Sequence, residues 1–204
     1  MNKPVIIFDF DGVIVDSPDL SFGINKAIMP DLEYEEWQSW FEGNLYKRIR
    51  KEHANEASQN AFFEKYNEGI VNILPINGMT DIIKKLTKEY TLIIISSSSQ
   101  KGINSYLKKY GLNDYFTEVL GKETHKRKVD KFHMILEKYN IAPHETLIIT
   151  DSVGDILEAK EVGVKTLAVL WGVHSNDKIE KSNPHFIASK PDEIIVGINT
   201  VLGK

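Results

Sequence analysis

Val5-Ile6-Ile7-Phe8-Asp9-Phe10-Asp11-Gly12 begins as an uninterrupted apolar run, β-branched at three of its four positions, and stops abruptly in an acidic turn. A short apolar run without polar alternation is the pattern of a strand buried on both faces, as in a parallel sheet. The two acids then fall at the C-terminal tip of that strand. Working outward, residues 91–95, 146–150 and 165–170 have the same character, and each adjoins a stretch with helical spacing. Such alternation predicts an α/β fold, a parallel sheet flanked by helices. The helices are expected near 78–89, 100–110, 130–140 and 154–162, with Gly111 and Gly163 as stop signals. A weaker strand is expected over 117–120, and the stretch 184–201 reads as a short strand and a closing helix begun near Pro191.

Residues 17–77 differ: they are rich in Glu, Lys, Asn and aromatic residues and lack any short β-branched run. They read as a helical insertion. Ser17-Pro18 would lead out of the sheet domain and Leu74-Pro75-Ile76-Asn77-Gly78 would lead back. The expected division is therefore 1–16 with 78–204 as the core, and 17–77 as a small helical domain.

The chain has 204 residues, 42% hydrophobic and 26% charged, which is the balance of a globular protein with a sizeable core. Its net charge of -4, with Lys and Arg spread along the chain, gives no footprint for nucleic acid or an anionic membrane. Absence of cysteine excludes disulfides, thiol catalysis and thiolate metal sites, and a cytoplasmic location is expected. The apolar run before Asp9 is too short for a signal peptide, and no later run approaches a membrane span.

Open α/β sheets bind ligands beyond the carboxyl ends of their strands. Three expected strand ends carry groups suited to phosphate and metal: Asp9-x-Asp11, Ser96-Ser97 and Asp151-Ser152-Val153-Gly154-Asp155. Carboxylates gathered there repel one another unless a cation sits among them. An all-oxygen donor set favours a hard ion such as Mg2+. Asp9 is suited to attack phosphorus, while the turn imposed by Gly12 swings Asp11 toward the departing oxygen as a proton donor.

These segments resemble the haloacid dehalogenase superfamily, in its phosphatase and phosphomutase branches. The likeness covers most of the chain and implies a Rossmann-like core with an inserted α-helical cap, as in the phosphoglycolate phosphatase and β-phosphoglucomutase branch. Phe8-Asp9-Phe10-Asp11-Gly12-Val13-Ile14-Val15-Asp16-Ser17 looks like the first family motif, implying Asp9 as nucleophile and Asp11 as general acid/base. Ser96 resembles the second motif, with the Ser97 amide and Gly12 beside the phosphoryl group. Asp151 and Asp155 resemble the fourth, so that the implied magnesium shell is Asp9, Asp11, Asp151 and Asp155, Asp11 through its carbonyl and Asp155 in support. Thr150 stands where the family usually has Gly. The third motif is a lysine, and spacing admits Lys126 or Lys128 among the cluster Lys122, Lys126, Lys128 and Lys131. Lys128 is preferred, because the prolines that accompany the Lys126 spacing are missing and Lys128 lies nearer the expected helix start. The presence of Asp11 implies phosphoryl chemistry rather than dehalogenation.

Other features carry more ordinary expectations. Ser98 and Ser99 read as N-caps of the helix near Gln100. The histidines His53, His125, His133, His144, His174 and His185 have no ligand-like spacing and read as structural or exposed. Trp37, Trp40, Phe41, Phe62, Phe63 and Tyr66 recur at helical intervals and read as core of the insertion. Within the stretch from Gly43 to Arg50, Lys47, Arg48 and Arg50 are candidates to reach an acidic or phosphorylated substrate. The leading expectation is a Mg2+-dependent phosphatase acting on a small phosphorylated metabolite. A β-phosphoglucomutase-like mutase is the alternative, and a non-enzymatic phospho-receiver the reading from another class.

Overall fold

A computed structural model describes residues 3–51 and 55–203; His53 lies outside the described residues. Six parallel strands form one sheet in the order β3-β2-β1-β4-β5-β6, with β1 Val5–Phe8, β2 Thr91–Ile95, β3 Glu118–Leu120, β4 Leu147–Thr150, β5 Lys165–Val169 and β6 Phe186–Ala188. The apolar run of β1 is therefore central, paired with β2 (Ile7 opposite Ile93) on one side and β4 (Ile7 opposite Ile148) on the other. Successive side chains of a strand leave by opposite faces. Ile6 and Phe8 accordingly join one apolar cluster with Leu92, Ile94, Ile149 and Leu167, while Val5 and Ile7 join a second with Ile93, Ile95 and Ile148. With helices on both faces no position of β1 can be polar, and each such side chain contributes about 1.5–3 kcal/mol on burial.

The helices are α1 Pro18–Ile28, α2 Tyr34–Ser39, α3 Leu45–Arg48, α4 Glu56–Ile70, α5 Met79–Leu86, α6 Gln100–Lys109, α7 Lys128–Tyr139, α8 Val153–Val162, α9 Asn176–Lys181 and α10 Glu193–Leu202. Phe132 and Ile135 of α7 and Ala159 of α8 cover one sheet face; Ile82, Ile83, Ile103 and Ile194 belong to the cluster on the other. Residues 17–77 leave and re-enter the sheet at one place, where Val15 bridges Pro75 and the Ile76 amide donates to the Ile14 carbonyl at 2.9 Å. This stretch carries a third cluster, Met29, Leu32, Trp37 and Trp40, closed by Val173.

Boundaries moved where local hydrogen bonding overrode spacing. Helix α7 starts at Lys128 rather than 130, because Arg127 is extended and the Lys128 amide donates to the Glu158 carboxylate at 3.1 Å. Helix α5 ends at Leu86 rather than 89, and α9 went unforeseen. Among the described residues no helix is long and apolar enough to cross a membrane.

Candidate active site

The tips of β1, β2 and β4 and the first turns of α7 and α8 surround one cavity of about 140 Å³, lined by Asp9, Asp11, Gly12, Ser96, Ser97, Lys128, Asp151 and Asp155 among others. Asp9 lies one residue beyond β1. Its amide continues the sheet to the Ile149 carbonyl at 2.9 Å, its Oδ1 accepts from the Phe10 amide at 2.8 Å, and its Oδ2 meets Lys128 Nζ at 2.8 Å. Lys128, 4% exposed, reaches Asp155 Oδ2 at 2.6 Å as well, and the Thr150 hydroxyl donates to that same oxygen at 2.7 Å. Across the cavity, Asp151 Oδ2 accepts from the Val173 amide at 2.7 Å. Gly12 makes this closeness possible. Its φ is +66°, and a Cβ there would fall inside the van der Waals contact distance of Asp151 Oδ2.

Two buried carboxylates, those of Asp9 and Asp155, thus share one ammonium, and the buried Asp151 lies nearby without an ion pair to it. Burial pushes Asp9 well above the usual carboxylate range; Lys128 opposes this, while Asp155 and Asp151 add to it. Burial likewise lifts Asp151 to about 7, against the Val173 amide. Asp155 is the exception: burial would raise it, but Lys128 and its hydrogen bonds hold it below the ordinary value. Burial also works against the charge on Lys128, yet Asp155 and Asp9 keep its pKa above normal. The set is short of positive charge at Asp9 and Asp151, and both offer only oxygen donors, which suits a hard divalent cation. Among the described residues no group of three or more His, Asp or Glu side chains is gathered around a metal-sized point. The side chains of Asp155 and Asp11 are spent on protein donors instead.

Asp11 is held by hydroxyls. Ser17 Oγ donates to its Oδ1 at 2.8 Å, Ser98 Oγ to its Oδ2 at 2.6 Å, Ser96 Oγ approaches Oδ2 at 3.4 Å, and the Tyr66 hydroxyl, from α4, donates to Oδ1. The loop after β2 is itself pinned. The Ser98 amide donates to Ser96 Oγ at 2.9 Å, and Lys131 Nζ, 1% exposed, donates to the Ser96 carbonyl at 2.6 Å. The Tyr46 hydroxyl donates to the Ser97 carbonyl at 3.2 Å. Burial and the neighbouring Lys128 pull Lys131 down to about 8.

Several expectations need correcting. Ser99 does cap α6, its Oγ accepting from the Gly102 amide at 3.1 Å, but Ser98 does not: it faces Asp11. Of the two lysines that spacing allowed, Lys128 touches Asp9, whereas Lys126 is exposed with its ammonium 5.6 Å from the Tyr46 ring centre. Arg50 does not enter the cavity, being held by Glu36 at 2.5 Å and Asp31 at 2.7 Å. Arg48 faces Glu42 at 3.8 Å, and Lys47 is exposed and absent from the lining. The apolar members of that stretch, Leu45 and Ile49, line the cavity instead. The aromatic stripe is core and lining at once, since all six of its members border the cavity and Trp37, Trp40 and Tyr66 are buried. His174 is buried, with Nδ1 accepting from the Val153 amide at 3.0 Å. Sequence reasoning missed the contact of Tyr66 with Asp11, the hydroxyl of Thr150 on Asp155 and the grip of Lys131 on Ser96. Only Thr150 left a signal, as a departure from a familiar motif.

A relative in Vibrio vulnificus (strain CMCP6), phosphoglycolate phosphatase, is 25% identical over 216 residues, covering 94% of each chain. Phosphoglycolate phosphatase of Psychrobacter arcticus is 27% identical over 209 residues, covering 90% of each. Among solved structures, a haloacid dehalogenase-like family hydrolase of Streptococcus pneumoniae superposes with a TM-score of 0.80 at 22% identity, covering 95% of this chain and 97% of that one. The haloacid dehalogenase-like hydrolase family model matches residues 6–169, a span that runs from β1 through β5 and includes every strand tip that reaches the cavity. By that match, the chain belongs to the haloacid dehalogenase-like hydrolase family.

Proposed function

We propose that this chain is a magnesium-dependent phosphatase that hydrolyses a small phosphorylated metabolite through an aspartyl-phosphate on Asp9, with residues 17–77 as its cap and the cytoplasm as its setting. The observation that carries the reading is the pairing of Asp9 with Lys128 in a cavity that also holds the hydroxyl-bound Asp11. The names of the curated relatives support the phosphatase class.

In this reading an Asp9 carboxylate oxygen attacks phosphorus in line, forming an acyl-phosphate bond as the bond to the leaving oxygen breaks. Asp11 gives a proton to that oxygen, then takes one from the water that attacks the phosphoryl group, regenerating Asp9 and releasing inorganic phosphate. Lys128, the Ser96 hydroxyl and the Ser97 amide face the phosphoryl oxygens, whose charge is greatest in the transition state. Asp9 and Asp151, with the Asp11 carbonyl that the family resemblance implies, would hold Mg2+, which supplies further charge stabilisation when bound. Tyr66 and the hydroxyls around Asp11 fix the carboxyl that moves the proton.

The test is phosphate release from a phosphomonoester panel, with magnesium and with chelator. Turnover should be lost in Asp9→Asn at unchanged fold by circular dichroism. Normal release by that variant overturns the nucleophile assignment.

A further inference from the structure

The cavity that contains Asp9 is walled on the side of residues 17–77 by a run of apolar and aromatic side chains, with Ser21, Asn25, Asn44, Ser58 and Gln59 between them. Met29, Trp40, Leu45 and Ile49 line it from the stretch spanning α1 to α3, and Phe62 and Phe63 line it from α4. The walls are fixed: Met29 and Trp40 are each 3% exposed, and the Phe62 ring stacks on Tyr66 with centroids 5.3 Å apart and planes 18° apart. Tyr66 joins this wall to the chemistry, because its hydroxyl reaches Asp11.

Charge points the same way. Five carboxylates line the cavity, those of Asp9, Asp11, Asp151, Asp155 and Glu158. Among the described lining residues the cationic side chains are Lys126 and Lys128. Lys128 is committed to Asp9 and Asp155, and Lys126 is an exposed side chain lying over the Tyr46 ring. The nearby guanidinium groups are held by carboxylates outside the cavity, Arg50 by Glu36 and Asp31 and Arg48 by Glu42. With Lys128 and Mg2+ turned to the phosphoryl group, a carboxylate on the leaving group would have Lys126, an exposed side chain at the rim, as its counter-charge among the described lining residues, and its desolvation against the apolar walls is unfavourable.

We infer that the substrate is a phosphomonoester of an uncharged, apolar alcohol of at most one ring's bulk, rather than of a hydroxy acid. The volume sets the upper limit: the cavity of about 140 Å³ must hold the phosphoryl group as well, and roughly 150 Å³ is taken up by a single benzene ring, so the alcohol is no larger than one ring. The inference rests on the phosphatase reading. It assigns Phe62 and Leu45 as specificity-determining walls.

The experiment compares kcat/KM for benzyl phosphate and 2-phosphoglycolate, both esters of alkyl alcohols, using the full chain with magnesium. Benzyl phosphate should be preferred by about tenfold or more, the discrimination one apolar group in a pocket provides. Phe62→Ala should lower the ratio of the two kcat/KM values by about tenfold, and Leu45→Arg, which adds a cation, should lower it as well. A ratio measured on one preparation is independent of the fraction folded. Preference for 2-phosphoglycolate, or a ratio unmoved by both substitutions, overturns the inference, and Asp9-dependent release in the same assays leaves the phosphatase reading standing. Absence of Asp9-dependent release from these esters and from a wider panel ends both.

Discussion

Replacing Lys128 by Met keeps most of the apolar stem of the side chain but removes the ammonium that two buried carboxylates share. The contacts are 2.8 Å to Asp9 and 2.6 Å to Asp155, and Lys128 is 4% exposed. At an effective dielectric constant of about 20, each corresponds to roughly 6 kcal/mol of attraction. Desolvation of the three charges offsets most of that sum, so the expected net loss is about 3–5 kcal/mol, the usual penalty when one partner leaves a buried ion pair. The assay is urea denaturation at neutral pH in the presence of chelator, so that no divalent ion substitutes for the lysine. The double variant Lys128→Met with Asp155→Asn should recover part of the loss, since it removes one of the stranded charges. A loss below about 1 kcal/mol for the single variant would mean that Lys128 is not the counter-charge of this site.

Thr150→Val removes the hydroxyl that donates to Asp155 at 2.7 Å and accepts from the Ser152 amide at 3.2 Å; it should lower stability by about 1.5–3 kcal/mol in the same assay. Tyr66→Phe takes one donor from Asp11 while leaving Ser17 and Ser98 in place, and should lower kcat by about tenfold with little change in KM, as steady-state kinetics will show. His174 carries a pH dependence. Burial, with the nearby Lys178 adding and Glu42 opposing, pulls its pKa from 6.5 down to about 4, so the unfolded chain binds its proton first as pH falls. Stability from this group is therefore whole above pH 6.5 and lost progressively toward pH 4, by on the order of 3 kcal/mol; denaturation at stepped pH should show a slope that His174→Asn flattens.

The sheet was legible because burial on both faces leaves β1, β2 and β4 nothing but apolar residues, a pattern that no exposed segment shares. The acids after β1 were legible in combination: Asp9-x-Asp11-Gly12 alone reads as a turn, but it follows a buried strand and is matched by Ser96 and Asp151 at later strand ends. What the chain concealed were contacts between distant segments. Tyr66 lies 55 positions from Asp11, on a helix whose aromatic spacing reads as packing, and it does pack. Spacing alone left Lys126 and Lys128 open, because which lysine turns inward depends on where α7 begins, and that is set by Glu158 from α8. The basic stretch Lys47 to Arg50 looked like a substrate contact because a sequence does not say where each cation goes; here Glu36 and Asp31 hold Arg50, Glu42 faces Arg48, and Lys47 is exposed. Helix α9 was missed since Asn176–Lys181 holds a single buried apolar residue, Ile179, too few for a period.

The central place of β1 has a consequence for how the molecule is made. Val5 pairs with Thr91, and Ile6 with Leu147, so the strand synthesised first acquires its neighbours only after most of the chain exists. Contacts of such long sequence separation slow folding, and until they form the stretch from Val5 to Phe8 is an unpaired apolar segment open to association with other chains. Release of a nascent chain cut short before residue 147 would leave that segment paired on one edge only, and aggregation of such fragments is the expected fate.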